Sequence, residues 1–352
     1  MQPSLPAIAR MMPRVQRAGF TLVELLVSTA LITTLLVILV GIVDQTSKTW
    51  RYTTSKVEQF RSARQGFEAI TRRLAQATLN TYWDYDKISG PQKYVRQSEL
   101  RFFAGTLPED TAPPGATRVT HSVFFQAPLG FSDEKDFDGL ETLLNTSGFF
   151  VEFASDLPSR PDFINRMVPP VLQRHRFRLM EFMQASNRLQ VYTPSPAGWL
   201  KDLFTATAPA TVPVFSRAEN VIALVVLPKL APEEDPSGTR LSPGYTYSST
   251  FDRPTDPTIN SLNQLPPLVQ ITLVGLDEGS AAKIAREAGN GTMPELGLAA
   301  LFKTGDPGSA EKHADRFMED LEILKKTLAD RRLTYRIFTT QVSIRGAKWS
   351  RD

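Results

Sequence analysis

One long apolar run near the N-terminus constrains this chain more than any other feature. Residues 22–43 carry a single charged side chain, Glu24, and are otherwise apolar, small or hydroxyl-bearing. As an α-helix the run would extend over about 33 Å, enough to cross the hydrocarbon core of a bilayer. The sequence therefore predicts one membrane-spanning helix. The hydroxyl groups in this region can donate hydrogen bonds to helix carbonyls, so the side chains that carry them are tolerable in lipid. These side chains are Thr21, Ser28, Thr29, Thr33 and Thr34.

Two ordinary interpretations of such a run are a cleavable secretory signal and a plain membrane anchor. A secretory signal has an apolar region of about 7–15 residues followed by a small-x-small cleavage site. This run is longer, and no Ala-x-Ala follows Val43. A plain anchor fits the length but leaves Glu24 unexplained, because a carboxylate within a membrane span is costly and needs a partner.

The head of the run, Gly19-Phe20-Thr21-Leu22-Val23-Glu24, resembles the N-terminal signal of type IV prepilins. The resemblance implies that a prepilin peptidase cleaves between Gly19 and Phe20 on the cytoplasmic side and methylates the new amino group of Phe20. The helix would then stay on the protein as a single-pass anchor in the bacterial inner membrane. The same resemblance assigns Glu24 to assembly, with its carboxylate paired to the Phe20 amine of the same chain or of a neighbouring subunit.

The charge balance argues against a polyanion as partner. The chain has 40 Lys and Arg residues against 37 Asp and Glu residues. Residues 1–19 contain Arg10, Arg14 and Arg17 and no acid, so a chain without them is balanced. A neutral mature chain is not expected to bind nucleic acid. Cysteine is absent, which excludes disulfides and thiolate metal sites.

Basic residues do not orient the span, because three lie on each side of it. The three that follow the run are Lys48, Arg51 and Lys56. A periplasmic globular body, associated with a filament, is therefore what the prepilin resemblance implies.

The helical pattern continues beyond the membrane. Apolar residues recur at three- and four-residue steps, which predicts one helix from about Phe20 to Leu79. They are Trp50, Val57, Phe60, Phe67, Ile70, Leu74 and Ala77. The predicted domains are a cleaved leader at 1–19, a transmembrane half-helix at 20–43, a soluble half-helix at 44–79 and a globular β-rich domain at 80–352.

Short β-prone runs separated by turn-rich segments follow from Glu99 onward. They predict a mostly antiparallel sheet with the helix covering one face. The runs are 100–103, 122–125, 149–153, 176–182, 189–192, 221–227, 269–274 and 334–344. The predicted fold is thus α+β and pilin-like, with a long N-terminal helix, transmembrane in its first half, packed on an antiparallel sheet domain.

Two further segments complete the predicted fold. Residues 228–267 contain eight prolines among polar residues, which predicts a long excursion or mobile loop. An amphipathic helix is predicted at 310–329, ahead of the final strand. Alternation would place Ile337 and Thr339 on one face of that strand and Phe338 and Val342 on the other.

Blocks further along the chain are similar to the J-type minor pseudopilins of type II secretion and, more closely, to the Verru_Chthon cassette protein C group of pilin-like proteins. The blocks are Arg61 to Phe67 with Leu79 to Tyr82, Arg176 to Glu181, and Tyr335 to Thr340 with Lys348 and Trp349. This similarity implies a structural minor subunit whose partners are other pilin-like subunits and the prepilin peptidase.

Motifs for catalysis are missing from the sequence. It contains no Gly-x-Ser-x-Gly, no His-Glu-x-x-His, no phosphate-binding loop and no dinucleotide fingerprint. The three histidines, His121, His175 and His313, lie far apart in different predicted elements. We therefore expect neither enzymatic activity nor a cofactor.

One acidic loop resembles the start of a calcium-binding loop. Glu134, Asp136 and Asp138 alternate and are followed by Gly139, in the pattern of oxygen ligands before a sharp turn. The twelfth position is Asn145 where a bidentate Glu is expected, and Glu is unusual in first place. A solvated turn is the favoured interpretation, and calcium binding is the alternative.

Three functions remain open from the sequence. The first is a minor subunit of a type II secretion-like or type IV pilus-like assembly, because a large irregular body suits a filament tip or initiation complex better than a repeating shaft. The second is an adhesin or DNA-uptake module displayed on a pilus, which a stripe of exposed cations and aromatics would favour. The third is a single-pass membrane enzyme, which a pocket of perturbed carboxylates would favour.

Overall fold

A computed structural model describes residues 21–85, 93–137, 139–157, 160–167, 173–189, 199–205, 214–250, 259–289, 291–303 and 316–350. The chain forms two compact units, Met1–Lys56 and Val57–Asp352. The first unit contributes most of helix α1, Leu22–Gln59. Its segment Leu22–Trp50 is long and apolar enough to cross a membrane. The α+β class, with a long apolar N-terminal helix and antiparallel sheets, is confirmed.

Helix α2, Arg61–Leu74, follows α1 after an interruption at Phe60. The sequence predicted one helix continuing to Leu79, and this extent differs from the structure. Phe60 has φ −100° and ψ 3°, outside the helical region, and the helical residues end at Leu74. Beyond that point the backbone bonds to the sheet instead, since the Thr78 amide donates to the Gln126 carbonyl at 2.9 Å.

The strands of the described residues form three antiparallel sheets. The orders are β7-β6-β5-β4-β3-β9 in the large sheet, β11-β10-β8 in the second and β1-β2 in a hairpin. The strands are β1 Tyr82–Tyr85, β2 Tyr94–Gln97, β3 Phe103–Gly105, β4 Thr117–Pro128, β5 Leu144–Ser155, β6 His175–Gln184, β7 Val214–Glu219, β8 Val221–Lys229, β9 Tyr247–Ser248, β10 Leu268–Leu276 and β11 Tyr335–Ser343. The remaining α-helices are α3 Asp162–Asn165, α4 Trp199–Thr205, α5 Glu278–Glu287 and α6 Phe317–Asp330.

Most predicted β-prone runs lie within these strands. The runs at 122–125, 149–153, 176–182, 221–227 and 269–274 are wholly contained in strands, and 334–344 corresponds to β11. The run 100–103 meets β3 only at its last residue. Of the run 189–192, Leu189 lies outside any strand and the rest lies outside the described residues.

Both faces of the large sheet are buried, whereas the sequence predicted a helix over one face. Ile70 and Leu74 of α2 join the main core, which lies between the large sheet and β8 and β10. The opposite face carries a second cluster that includes Phe124, Phe150 and Trp199 of α4. Strand β5 is consequently buried along nine consecutive residues. A strand buried on both faces loses its polar alternation, which is why the second layer was missed.

A bulge in β4 connects the two larger sheets. The β4–β5 register shifts between Val119 and Ser122, and Thr120 adopts φ 57°. The Thr120 hydroxyl accepts the Leu224 amide of β8 at 3.0 Å. His121, the next residue, accepts the Val226 amide of β8. The side chains of the bulge therefore satisfy two backbone amides of β8 that would otherwise lie at an open strand edge.

Ion pairs tie helices to strand β6. Arg176 holds the Glu278 carboxylate of α5 through two bonds, at 2.6 and 2.9 Å. These bonds lower the pKa of Glu278 and outweigh the opposing effect of burial. On α2, Arg73 pairs with the buried Glu181. Because Glu181 is almost fully buried, the pair fixes how α2 lies on the sheet.

The described parts of the proline-rich segment carry side chains that pack in the main core, whereas the sequence predicted a long excursion or mobile loop. Within its described parts, 228–250 and 259–267, Leu241, Tyr245 and Tyr247 are fully buried in the main core. Residues 251–258 lie outside the described residues. Large apolar side chains between the prolines provide the burial that the composition alone did not reveal.

The predicted C-terminal helix and strand are both present. Helix α6 begins at Phe317, and the predicted residues 310–315 lie outside the described ones. On α6 the Asp320 carboxylate is buried and accepts the Tyr245 hydroxyl at 3.2 Å and the Phe302 amide at 3.1 Å. Along β11, Phe338 packs 5.8 Å from Phe67 of α2 and Thr339 is exposed, while Ile337, predicted on the face of Thr339, also packs against the main core.

Candidate functional site

The N-terminal motif lies at the beginning of α1. Gly19 and Phe20, the predicted processing residues, lie outside the described residues, so processing stays a prediction. The helix begins at Leu22, and Glu24 lies in its first turn. The large apolar side chains from Leu22 to Val43 are 51–78% exposed. Such a surface is unfavourable in water and is consistent with a membrane anchor.

Glu24 forms a capping box with Thr21. Its carboxylate accepts the Thr21 amide and the Thr21 hydroxyl, both at 2.9 Å. The Glu24 amide in turn donates to the Thr21 hydroxyl oxygen at 3.3 Å. Orphan donors at the helix start are satisfied in this way. The Thr-x-x-Glu spacing is the known signature of this box, and sequence reasoning overlooked it.

The other hydroxyls of the span bond as predicted. Ser28 donates to the Glu24 carbonyl at 2.5 Å, and Thr29 to the Leu25 carbonyl at 3.0 Å. Thr33 and Thr34 likewise donate to the carbonyls four residues earlier, at 2.7 and 2.9 Å. Each hydroxyl is therefore satisfied within the helix, which is what passage through lipid requires. Thr21 differs, because its hydroxyl bonds to the Glu24 carboxylate and not to a helix carbonyl.

The acidic loop is shaped by its own protein contacts. Asn145 is fully buried, and its amide group donates to the carbonyls of Phe131 at 2.7 Å and Gln184 at 3.0 Å. Its Oδ1 in turn accepts the Phe131 amide at 3.0 Å, so the side chain at the twelfth position is bonded to the backbone of the loop. Glu134 and Asp136 are exposed, and Asp138 lies outside the described residues.

Of the three histidines, His121 and His175 lie in different strands, and His313 lies outside the described residues. His121 is fully buried, with Nε2 2.6 Å from the Phe302 carbonyl and Nδ1 3.1 Å from the Val226 backbone. Burial lowers its pKa and outweighs the backbone carbonyls that favour the charged form. His175 stacks on Phe153 at 6.0 Å. Within the described part of the chain, His, Asp and Glu form no group of three that could hold a metal ion.

Comparison with known proteins identifies the N-terminal motif. Residues 14–40 match the family described as the prokaryotic N-terminal methylation motif. The match includes Gly19, Phe20 and Glu24, and it supports a type IV pilin-like protein that assembles with other pilin-like subunits. Neither the curated proteins nor the solved structures gave a match to the chain.

Proposed function

We propose that this chain is a structural minor pilin or pseudopilin of a type II secretion-like or type IV pilus-like assembly, without enzymatic activity. One observation carries the proposal: the methylation motif heads an apolar helix whose large side chains are exposed along its length. That surface suits lipid before assembly and the helices of neighbouring subunits afterwards. The anchor would lie in the inner membrane, with the unit Val57–Asp352 in the periplasm.

A minor rather than a fibre-forming role is supported by the size and irregularity of the body. A six-stranded and a three-stranded sheet, with a layer on each face of the larger one, make a bulky unit. Such a body suits a subunit at the filament tip or in the initiation complex better than a subunit that repeats closely along the shaft. Of the blocks that resemble J-type pseudopilins and the Verru_Chthon group, those at 61–67, 176–181 and 335–340 lie in α2, β6 and β11, whereas 79–82 leads into β1 and Lys348 and Trp349 follow β11.

Processing by a prepilin peptidase is tested at Gly19. The peptidase requires a small residue before the cleaved bond, so Gly19→Leu is expected to leave the full-length precursor in the membrane. Gly41→Leu is the matched control, because a side chain at Gly41 meets no atom within 4 Å. Mass spectrometry of the extracted wild type is expected to show a Phe20 N-terminus with one methyl group. An uncleaved wild type in a cell that has the peptidase would refute the proposal.

Assembly is tested at Glu24 with two substitutions. Glu24→Val removes both the charge and the capping box, whereas Glu24→Gln keeps the bonds to Thr21 and removes only the charge. If a charge pair with the Phe20 amine sets the register, both variants are expected to be processed yet to lose co-purification with pilin-like partners. Asp44→Asn, in an exposed pair with Lys48, is the control. A Glu24→Gln variant that assembles normally would show that Glu24 only caps the helix.

A further inference from the structure

The β1–β2 hairpin carries an aromatic face that no described element covers. Trp83 pairs with Arg96 across the strands, and Tyr85 with Tyr94, so all four side chains lie on one face. Trp83, Tyr85 and Tyr94 are 55%, 45% and 62% exposed. The two tyrosine rings lie 4.4 Å apart, and their hydroxyls are 2.8 Å apart. Exposed aromatic groups of this kind mark binding surfaces.

A cleft of about 450 Å³ lies beside this face. Trp83 and Arg96 form one wall, Asn263 and Gln264 contribute a second side, and the C-terminal segment with Trp349 closes the third. Its volume falls within the range of about 300–1,000 Å³ that is usual for sites of small ligands.

The cleft is held in shape by partly buried hydrogen bonds. Gln264 is 2% exposed, and its amide group bonds to both backbone groups of Ser350, at 2.9 and 3.0 Å. The Asn263 amide donates to the Arg96 carbonyl at 2.6 Å. Arg96 bonds to the Ser350 hydroxyl, and its guanidinium lies 5.2 Å from the Trp83 ring. Because these contacts join all the walls, the aromatic groups are positioned before any ligand arrives.

The lining of the cleft is positively charged. Arg96 and Lys348 are its charged residues, and no carboxylate is among the residues that line it in the described part of the chain. Asp84 lies on the opposite face of the hairpin. Glu99 is engaged by the Tyr82 hydroxyl at 2.7 Å. An anionic ligand is therefore complementary to this site.

We propose that this cleft binds an acidic oligosaccharide. The apolar face of a sugar ring matches an exposed indole such as Trp83, the carboxylate would face Arg96 and Lys348, and hydroxyls would meet the polar side chains around them. A peptide that binds by β-strand addition needs a strand edge, whereas a side-chain face lines this site. A nucleic acid strand needs a track of cations along its phosphates, and this cleft has two.

The experiment uses the full chain in detergent with a hexamer of linked uronic acids, measured by titration calorimetry. We expect saturable binding that weakens with added salt. Trp83→Ala and Lys348→Glu are each expected to weaken binding about tenfold, by removal of the platform and reversal of the charge. The controls are Phe215→Ala, which is also 55% exposed, and Lys326→Glu on α6, and both are expected to bind like the wild type. Circular dichroism melting verifies that every variant is folded.

Several outcomes would overturn the proposal. They are no binding of the uronate hexamer, equal binding of a neutral glucose hexamer, or unchanged binding by folded Trp83→Ala and Lys348→Glu proteins. Equal binding of hexaglutamate or of an oligothymidylate would assign the cleft to a peptide or to nucleic acid instead. Loss of co-purification with pilin-like partners in Trp83→Ala would assign the face to a subunit interface. Processing at Gly19 is independent of these results, so failure here and failure of the proposed function are distinguishable.

Discussion

Acidification is expected to destabilise the protein through His121. The imidazole is fully buried between β4 and β8, 5.3 Å from the Tyr245 ring, and burial lowers its pKa. In the unfolded chain the same group takes up a proton near the ordinary value of about 6.5. Between the two pKa values the unfolded state binds more protons than the folded state. The contribution of His121 to stability is thus complete above about pH 6.5 and is lost as the pH falls below it.

The size of the effect follows from proton linkage. Each pH unit in this window costs up to about 1.4 kcal/mol. Between pH 7.5 and pH 5.5, proton uptake by the unfolded state sets the upper limit of the loss due to His121 at about 1.4 kcal/mol. His121→Gln removes the titration while retaining an amide that can donate to Phe302 and accept from Val226.

Urea unfolding of the full chain in detergent, at both pH values, measures the effect. The wild type is expected to lose more stability than His121→Gln over this range, by up to about 1.4 kcal/mol, since other titrating groups are common to both proteins. A nuclear magnetic resonance titration of the wild type is expected to show a His121 imidazole whose pKa is below the ordinary value of about 6.5. Equal pH dependence in the two proteins, or a His121 signal that titrates near pH 6.5, would refute the reasoning.

Three more predictions concern stability. Gly148→Ala would place a methyl group 2.3 Å from the Phe124 ring, so we expect the free energy of unfolding in urea to fall by about 1–3 kcal/mol. The control is Gly279→Ala, which should not destabilise the fold because the nearest atom is 3.8 Å away. Asp320→Ala removes the buried carboxylate that accepts from the Tyr245 hydroxyl and the Phe302 amide and is expected to cost about 1–3 kcal/mol, against little for the exposed neighbour Glu319→Ala. A chelator is expected to leave the melting temperature unchanged, and a marked decrease would establish the acidic loop as a calcium site.

Local patterns account for what the sequence predicted well. The apolar run of α1 and the stripe of α2 depend on residues a few positions apart, as do the strands that contain Phe149–Phe153 and Val269–Val274. The capping box of Thr21 and Glu24 was within reach of the same reasoning, because its spacing is a local signal.

By itself the sequence determined the anchor helix, its motif and the α+β class, because each follows from periodicity or from contiguous residues. The tertiary structure alone decided the second layer on the large sheet, the burial of Tyr245 and Tyr247, and the cleft beside Trp83. Gln264 and Ser350, whose bonds shape that cleft, lie 86 positions apart along the chain. No local pattern relates residues at such a separation, so only the packing of the folded chain brings them into contact.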